Sequence, residues 1–138
     1  MATWSCDACG RQFGRRNQSH GCLPAGSVDD YFADRPATER GIYERVANQL
    51  RKQGALTIEA VGVGILFKRS RTFAELRRRR DHLELGLLLS RQVIHEKIKK
   101  RIPVSANRCA HTIALARIAD VDREVRAWLA EAYLASPP

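Results

Sequence analysis

Four side chains that can bind a transition metal lie close together at the start of the chain: Cys6, Cys9, His20 and Cys22. Their spacing is Cys-x2-Cys followed, after a ten-residue gap, by His-x-Cys. A two-residue gap lets both thiolates of a tight turn point at one ion, and Gly10 suits the backbone after such a turn. Thiolate and imidazole ligands in this number complete a tetrahedral zinc site. The sequence therefore predicts one structural zinc ion.

Protein ligands fill every position of this predicted site, so none remains for the water that a catalytic zinc would activate. The gap between Cys9 and His20 also leaves no room for the recognition helix of a DNA-reading finger. We therefore expect neither metal-dependent catalysis nor major-groove reading from this element.

The segment that carries the ligands, residues 1–26, is called the knuckle below and includes a short linker. It is too short to bury enough apolar surface to fold alone, so metal binding would supply its folding energy. Trp4 and Phe13 can pack against the metal site. The loop between the ligands is expected to be solvated and contains Arg11, Arg15, Arg16, Asn17 and Gln18. Two interpretations stay open: the metal fastens the N-terminus only, or it also presents an arginine-rich loop to a partner.

The chain is basic, with a formal net charge of +9, and the excess is unevenly distributed. Residues 55–108 hold thirteen Lys and Arg against five Asp and Glu, a net +8. A basic surface favours a polyanionic partner, most often nucleic acid; an arginine-rich composition without such a partner is the alternative. The candidate nucleic-acid contacts are Arg15, Arg16, Lys68, Arg69, Arg71, Arg77, Arg78, Arg91, Lys97, Lys99, Lys100 and Arg101.

Phosphate contacts require Arg or Lys but no strict spacing, so this charge signal has low specificity. Aromatic residues that could stack on exposed bases are scarce, since Phe67 and Phe73 fit the core better. Binding to the backbone of a duplex is therefore favoured over stacking on a single strand.

Motifs for enzymatic or membrane functions are missing from the sequence. It has no glycine-rich phosphate loop, no nucleophile motif and no HExxH, which predicts a protein that is not an enzyme. No apolar run approaches the roughly 20 residues of a membrane span, and the first residues do not resemble a signal peptide. Three cysteines clustered with a histidine indicate metal binding in a reducing compartment rather than disulfides. We therefore expect a cytoplasmic protein without a membrane partner.

The remaining polar candidates are better explained by structure than by chemistry. His111 and Cys109 fall in line with core residues, and His82 and His95 stand among charged neighbours at the surface. Asp120 would cap a helix rather than bind a metal together with Asp122.

Residues 27–138 are predicted to form one α+β domain. Helices are indicated over 28–34, capped by Ser27, and over 37–53, ended by Gly54. Alternating apolar residues then predict strands over 56–60, 63–67, 71–78, 82–89 and 109–118, and an apolar stripe after Asp120 predicts a last helix. Residues 91–108 stay open between a short helix ended by Pro103 and a long basic connection.

The order of these elements predicts a mostly antiparallel sheet of about five strands, with the N-terminal and C-terminal helices on one face. The other face would carry many of the basic residues.

Several motifs in this order resemble an uncharacterised bacterial family that is described as a domain of unknown function and in places labelled a predicted transport protein. They are the Cys6, Cys9, His20, Cys22 knuckle, Asp30-Tyr31-Phe32, Phe73-Ala74, Leu83–Leu87, His111–Leu115, Asp120, Asp122 and Trp128–Tyr133. The resemblance runs from Trp4 to Tyr133 and implies the fold and the zinc site. It carries over no catalytic residues.

The leading hypothesis is a non-enzymatic, zinc-containing protein that contacts DNA or RNA through a basic surface. One alternative is an adaptor that docks an acidic protein through the knuckle and residues 91–108. Another is a small-molecule-binding domain, with His111 and nearby arginines lining a pocket on the sheet.

Overall fold

The structure is a computed structural model that describes residues 3–20, 22, 26–62 and 64–138. Two short strands form an N-terminal hairpin, and the following elements form an α+β domain. The elements are β1 (Trp4–Ser5), β2 (Gln12–Phe13), α1 (Val28–Phe32), α2 (Ala37–Gln53), β3 (Thr57–Val61), β4 (Gly64–Lys68), β5 (Thr72–Arg78), β6 (Leu83–Leu89), β7 (Ile98–Ser105), β8 (Arg108–Leu115), a 3-10 turn (Ile118–Asp120) and α3 (Arg123–Ala135). The predicted second strand includes Val63, which lies outside the described residues.

The six longer strands form one antiparallel sheet in the order β3-β4-β5-β6-β8-β7. The predicted α+β class is confirmed, but the sheet has six strands rather than about five. The additional strand is β7, so both interpretations of residues 91–108, a helix or a connection, are wrong for residues 98–105.

The spacing of Ile94, Ile98 and Ile102 is typical of a helix, yet only Ile98 is buried. Pairing with β8 gives this segment the hydrogen bonds that a helix would otherwise supply. Pro103 is tolerated because β7 is the edge strand of the sheet, where a missing N–H costs little.

Helices α2 and α3 pack against one face of the sheet and enclose the core. In β6 the alternating leucines Leu83, Leu85, Leu87 and Leu89 are all buried there. The register places Ile113 opposite Leu85, so the inward residues of β8 share the same side.

The helix ends follow the side chains available to cap them. Helix α2 has the bounds predicted from the sequence. Helix α3 is capped by Asp122, whose carboxylate accepts the N–H of Val125 at 3.0 Å. Asp120 was predicted in that position, but its carboxylate accepts the N–H groups of Ala116 and Arg117 and closes the preceding turn instead. Among the helices of the described chain, none is long and apolar enough to cross a membrane.

The face of the sheet opposite α2 and α3 is called the open face below. One row of paired residues crosses it through all six strands: Glu59, Leu66, Glu75, Gly86, Thr112 and Lys100. This row carries two carboxylates and one ammonium group, so acidic side chains outnumber basic ones along it.

Candidate metal centre

The hairpin of β1 and β2 determines where the first two candidate ligands lie. Trp4 pairs with Phe13, and the turn is closed by the Cys6 N–H, which donates to the Arg11 carbonyl at 2.9 Å. Within it, the Gly10 N–H donates to the Cys6 carbonyl at 2.7 Å. Gly10 has a φ of 74°, a left-handed conformation that glycine adopts without strain. The turn thereby places Cys6 and Cys9 side by side.

The structure brings all four predicted ligands together. Their ligating atoms lie within 4.8 Å of one another. The Sγ atoms of Cys6 and Cys22 are 3.6 Å apart, and His20 Nε2 is 3.4 Å from the Sγ atoms of both Cys9 and Cys22. A tetrahedral ion with Zn–S bonds of about 2.3 Å and a Zn–N bond of about 2.0 Å would separate its ligands by about 3.5 to 3.8 Å. The group can therefore hold one metal ion.

The orientation of His20 suits metal binding. Its Nδ1 lies 2.6 Å from the Gln18 carbonyl, so the ring donates from Nδ1 and its Nε2 lone pair faces the cysteines. Metal-bound histidines are commonly fixed by such a hydrogen bond from the second nitrogen. The Phe13 ring lies 4.1 Å from the imidazole and the Trp4 ring 6.1 Å, between ring centres. Packing of both aromatic residues on the site is confirmed.

The thiols of the site differ in acidity. The pKa of Cys6 is lowered to about 6, chiefly because the Cys9 backbone N–H donates to its sulfur. The pKa of Cys22 is raised to about 11, chiefly through its hydrogen bond with Cys6 and secondly through burial. Binding a metal to both thiolates must therefore release a proton from Cys22, and rising pH favours that step.

The knuckle is docked on the open face of the sheet through Glu59. This carboxylate accepts hydrogen bonds from Arg11 Nε at 3.3 Å, from the Gln12 N–H at 3.0 Å and from Lys68 Nζ at 3.2 Å. The side chains of Arg11, Glu59 and Lys68 are only 12%, 5% and 5% exposed. Lys68 also donates to the Gln12 carbonyl and lies 4.3 Å from the centre of the Phe13 ring. The prediction that Arg11 is solvated is therefore wrong. Lys68 is covered by the knuckle.

A second contact fixes the knuckle against the turn between β4 and β5. A Cβ atom on Gly14 would lie 2.2 Å from the Ser70 carbonyl oxygen, so this close approach requires glycine. The exposed Arg15 and Arg16 follow directly on Gly14, and Ser70 is followed by the exposed Arg71. The docking therefore brings two separate basic segments of the sequence to one place.

Most of the other predicted nucleic-acid contacts are engaged within the protein. Arg77 pairs with Glu75, Arg78 with Asp34, Arg91 with Glu131, and Lys97 with Asp122 and Glu124. Arg69 donates to the carbonyls of Tyr133 and Ser136. Apart from Arg69, the candidates that make no ion pair within the described part of the chain are Arg15, Arg16, Arg71, Lys99, Lys100 and Arg101. Because Lys68 is buried, the twelve residues are not all available at the surface.

One end of the sheet nevertheless gathers arginines from three connections. The register places residues 69–71, 89–91 and 106–108 at this end, which is called the basic end below. It carries Arg69, Arg71, Arg91 and Arg108. Arg108 was missed by the sequence analysis because it stands alone in a segment whose strand pairing was not predicted.

His111 is fully buried, as predicted. Its Nε2 accepts the Val93 N–H at 2.9 Å, and its Nδ1 lies 3.1 Å from the Cys109 carbonyl. Burial lowers the pKa of His111. Because both nitrogens are engaged, His111 has none to offer a small molecule on the sheet. Cys109 is a buried core residue as predicted and is not part of the metal-binding group.

The two other histidines lie nearer the surface. His82 is 2.8 Å from Asp81, and His95 is 2.9 Å from Glu124 and packs edge-on against Trp128. Both are partly exposed and make structural contacts.

A family model described as a domain of unknown function (DUF5655) matches residues 28–136. No curated protein and no solved structure gives a significant match to the chain. The family match begins after the knuckle, so all four candidate metal ligands lie outside it.

Proposed function

The chain belongs to the DUF5655 family, and we propose that it is a non-enzymatic binding protein whose zinc-stabilised knuckle and family domain together contact the phosphate backbone of nucleic acid. The zinc ion is structural in this proposal. The nucleic-acid contact uses the knuckle loop and the basic end of the sheet.

The donor set supports zinc as the metal. Three thiolates and one imidazole suit zinc better than calcium or magnesium, which prefer oxygen ligands. The separations of 3.4 to 3.6 Å between Cys6 and Cys22, and from His20 to Cys9 and Cys22, match the edges of a closed tetrahedral site. A thiolate site of this kind suits a reducing compartment, so we propose the cytoplasm as its location.

Metal analysis of protein purified under reducing conditions tests the zinc site. We expect about one zinc ion per chain in the unchanged protein, because one four-ligand group is formed. Cys9→Ser should lower this occupancy by removing one thiolate. Cys109→Ser is the matched control, because Cys109 is buried away from the group and should leave zinc unchanged. Full occupancy in Cys9→Ser would refute the ligand set.

The observation that carries the nucleic-acid proposal is the contact between Gly14 and Ser70. It sets Arg15 and Arg16 beside the turn that holds Arg71, and all three are exposed without an ion-pair partner in the described chain. Unpaired arginines at one place attract phosphates because few local carboxylates compete for them. The basic character of the chain, net +9, favours the same partner.

Fluorescence anisotropy with duplex and single-stranded DNA and RNA, at low and moderate salt, tests this proposal. We expect binding to at least one of them that weakens steeply with salt, because phosphate contacts release counterions. Micromolar protein that binds none of them at low salt would overturn the proposal.

A pair of double variants with equal net charge locates the contact. Arg15→Ala/Arg16→Ala removes two positive charges at the knuckle, and Arg80→Ala/Arg117→Ala removes two at the opposite end of the sheet. The slope of log affinity against log salt concentration reports the number of phosphate contacts. The first variant should lose up to about two contacts by this measure, whereas the second should keep nearly the same slope. Equal losses in both would point to net charge alone.

A second candidate function is docking of an acidic protein on residues 91–108. Ile94, Ile102 and Val104 are exposed there, beside the unpaired cations of β7. Such a complex should survive nuclease treatment, unlike one bridged by nucleic acid, and should be lost in Ile102→Asp. A complex that disappears with nuclease would exclude the adaptor function.

A further inference from the structure

A small cleft opens at the basic end of the sheet, between the start of β5, the end of β6, the turn before β8 and the end of α3. Its volume is about 40 Å³. The polar residues that line it are Arg71, Thr72, Ser90, Asn107, Arg108 and Ser136. None of the described lining residues is acidic. The other described lining residues are apolar, among them Phe73, Leu88 and Leu89. The polar part of the cleft therefore offers hydrogen-bond donors and positive charge to a ligand.

The two arginines of the cleft are not held by a carboxylate of the described residues. Arg71 is exposed and Arg108 is half-buried, and neither forms an ion pair with a residue of the described chain. A guanidinium group presents a planar set of N–H donors that matches the oxygens of a phosphate. Two such groups on one cleft are suited to an oxyanion.

The end of helix α3 lies beside the cleft, and its carbonyl groups would repel an anion if they were free. One of them, the carbonyl of Tyr133, is occupied, and so are the carbonyls of Ser136 and Pro137 just after the helix. Arg69 donates to the Tyr133 carbonyl at 3.0 Å and to the Ser136 carbonyl at 2.8 Å. The Pro137 carbonyl accepts from the Ser70 N–H at 3.4 Å and from its hydroxyl at 3.2 Å. Three carbonyl groups at this end of the chain are thereby occupied, which reduces the repulsion of an anion in the cleft.

A neighbouring cleft of about 80 Å³ shares Ser90 and Arg108 with the first and adds Arg91, Gln92 and Ser105. The residues described along its walls also include no carboxylate. Arg91 is held toward Glu131 by two hydrogen bonds of 2.9 Å, but this pair is partly exposed and therefore weak. Arg108 stands between two adjacent sites that could each take an anion.

Three other clefts in the described chain are less suited to a phosphate. The cleft beside Gln12, Lys68 and Arg69 has no acidic residue among its described walls, but Lys68 is paired with Glu59 and Arg69 donates to the carbonyls of Tyr133 and Ser136. The groove on the open face is lined by Glu75 and by apolar side chains such as Leu88 and Ile102. The cleft beside α1 is lined by Asp30. A phosphate in either would face a carboxylate.

We propose that the cleft between Arg71 and Arg108 binds one phosphate group, and that the neighbouring cleft binds the next phosphate of the same strand. The size agrees, because a water needs about 10–15 Å³ of such volume and a cleft of about 40 Å³ therefore takes a group of a few heavy atoms. This assignment rests on the proposed function and gives it a location. Free phosphate has the same chemistry as a backbone phosphate, so the experiment must separate the two sources.

The test combines two probes with single variants. Inorganic phosphate is titrated into ¹⁵N-labelled protein, and a 12-nucleotide duplex is titrated by anisotropy at low salt. Arg71→Ala and Arg108→Ala should each weaken duplex binding about tenfold and lower its salt dependence by about one phosphate contact. Arg108→Lys should bind the duplex more tightly than Arg108→Ala because it keeps the charge. It should bind less tightly than the unchanged protein because lysine lacks the planar pair of donors. Arg80→Ala, at the opposite end of the sheet, is the control and should change affinity less than about twofold.

Unchanged thermal unfolding of each variant shows that the fold is intact. If the duplex binds but Arg71→Ala and Arg108→Ala behave like Arg80→Ala, the cleft assignment is overturned and the proposed function stands. If neither this duplex nor single-stranded DNA or RNA binds, but phosphate shifts the amide signals of Arg71 and Arg108, the proposed function is overturned and the cleft is a site for a free anion. If neither phosphate nor any of these nucleic acids binds, both proposals are wrong.

Discussion

Replacing Glu59 by glutamine should weaken metal binding at a site to which Glu59 contributes no ligand. In the folded protein its carboxylate joins the knuckle to the sheet through Arg11, Gln12 and Lys68. Burial alone would raise the pKa of Glu59, but the Gln12 N–H, Lys68 and Arg11 outweigh it, and the pKa lies below its ordinary value. Glu59 is therefore ionised at neutral pH and holds the knuckle by charge-assisted hydrogen bonds.

The magnitude follows from what Lys68 loses. Burial already lowers the pKa of Lys68, and Glu59 is the anion that compensates its charge. Removing one partner of a buried ion pair costs about 3–5 kcal/mol, because the other charge stays buried without compensation. The knuckle is too short to fold without metal, so we expect the metal-free knuckle to leave the sheet and expose the pair to water. An exposed pair contributes only about 0–1 kcal/mol.

The difference between these two costs, about 2 to 5 kcal/mol, is the coupling between Glu59 and the metal site. By linkage, the same free energy must be lost from metal binding. At about 1.4 kcal/mol for each tenfold change, Glu59→Gln should weaken the affinity for zinc about 30-fold to about 4,000-fold.

Competition with a chromophoric chelator under reducing conditions measures the affinity, and urea unfolding with and without zinc measures the cost to folding. Glu75→Gln is the matched control. Glu75 lies on the open face and pairs with Arg77 at 3.0 Å, but its side chain is 30% exposed and that of Arg77 43%. This variant should cost less than about 1 kcal/mol and leave zinc affinity unchanged. If Glu59→Gln lowers stability equally with and without zinc, the knuckle is not held by Glu59 and the reasoning fails.

Two further predictions concern the domain itself. Gly54→Ala should lower the free energy of unfolding by about 1–3 kcal/mol. The reason is that Gly54 has a φ of 151° and an added Cβ would lie 2.5 Å from the Tyr133 hydroxyl oxygen. Urea unfolding should show no such loss for the control Gly62→Ala, whose Cβ would meet nothing within 4 Å. For His111, burial lowers the folded-state pKa below the ordinary 6.5, so the unfolded chain binds the extra proton and stability should fall as pH drops below about 6.5. The free energy of unfolding measured from pH 7.5 to 5 should show this loss. The loss should persist in His82→Gln but be smaller in His111→Gln. If the free energy falls equally with pH in His111→Gln, other groups cause the pH dependence.

The parts of the molecule that could be predicted from the sequence depend on neighbouring residues. Metal ligands at Cys-x2-Cys spacing occupy a single turn, so the site could be predicted before any long-range contact was known. Helix α2 could be predicted because its apolar stripe and Gly54 lie within one continuous segment. Strand β6 could be predicted in the same way, because one residue separates each buried leucine from the next.

The parts that could not be predicted depend on residues distant in the sequence. β7 is stabilised by pairing with β8, and its spacing of isoleucines imitates a helix. Nothing near Glu59 indicates that it is buried, because the residue that covers it, Gln12, is 47 positions earlier. The partners of neighbouring arginines also differ. Arg77 donates to Glu75 on the open face, whereas Arg78 lies over the ring of Tyr31 on the helix side.

The docking of the knuckle connects the metal site to the proposed binding surface. The family match begins at residue 28, so the knuckle lies outside the matched domain. Its position must be fixed by contacts of its own. Those contacts are the Glu59 hydrogen bonds and the approach of Gly14 to Ser70. A metal that only protected the N-terminus would not require a buried carboxylate on the sheet to receive it. The presence of that carboxylate favours the interpretation in which the metal positions Arg15 beside Arg71, because the same contacts that bury Glu59 also set the loop against the basic end of the sheet.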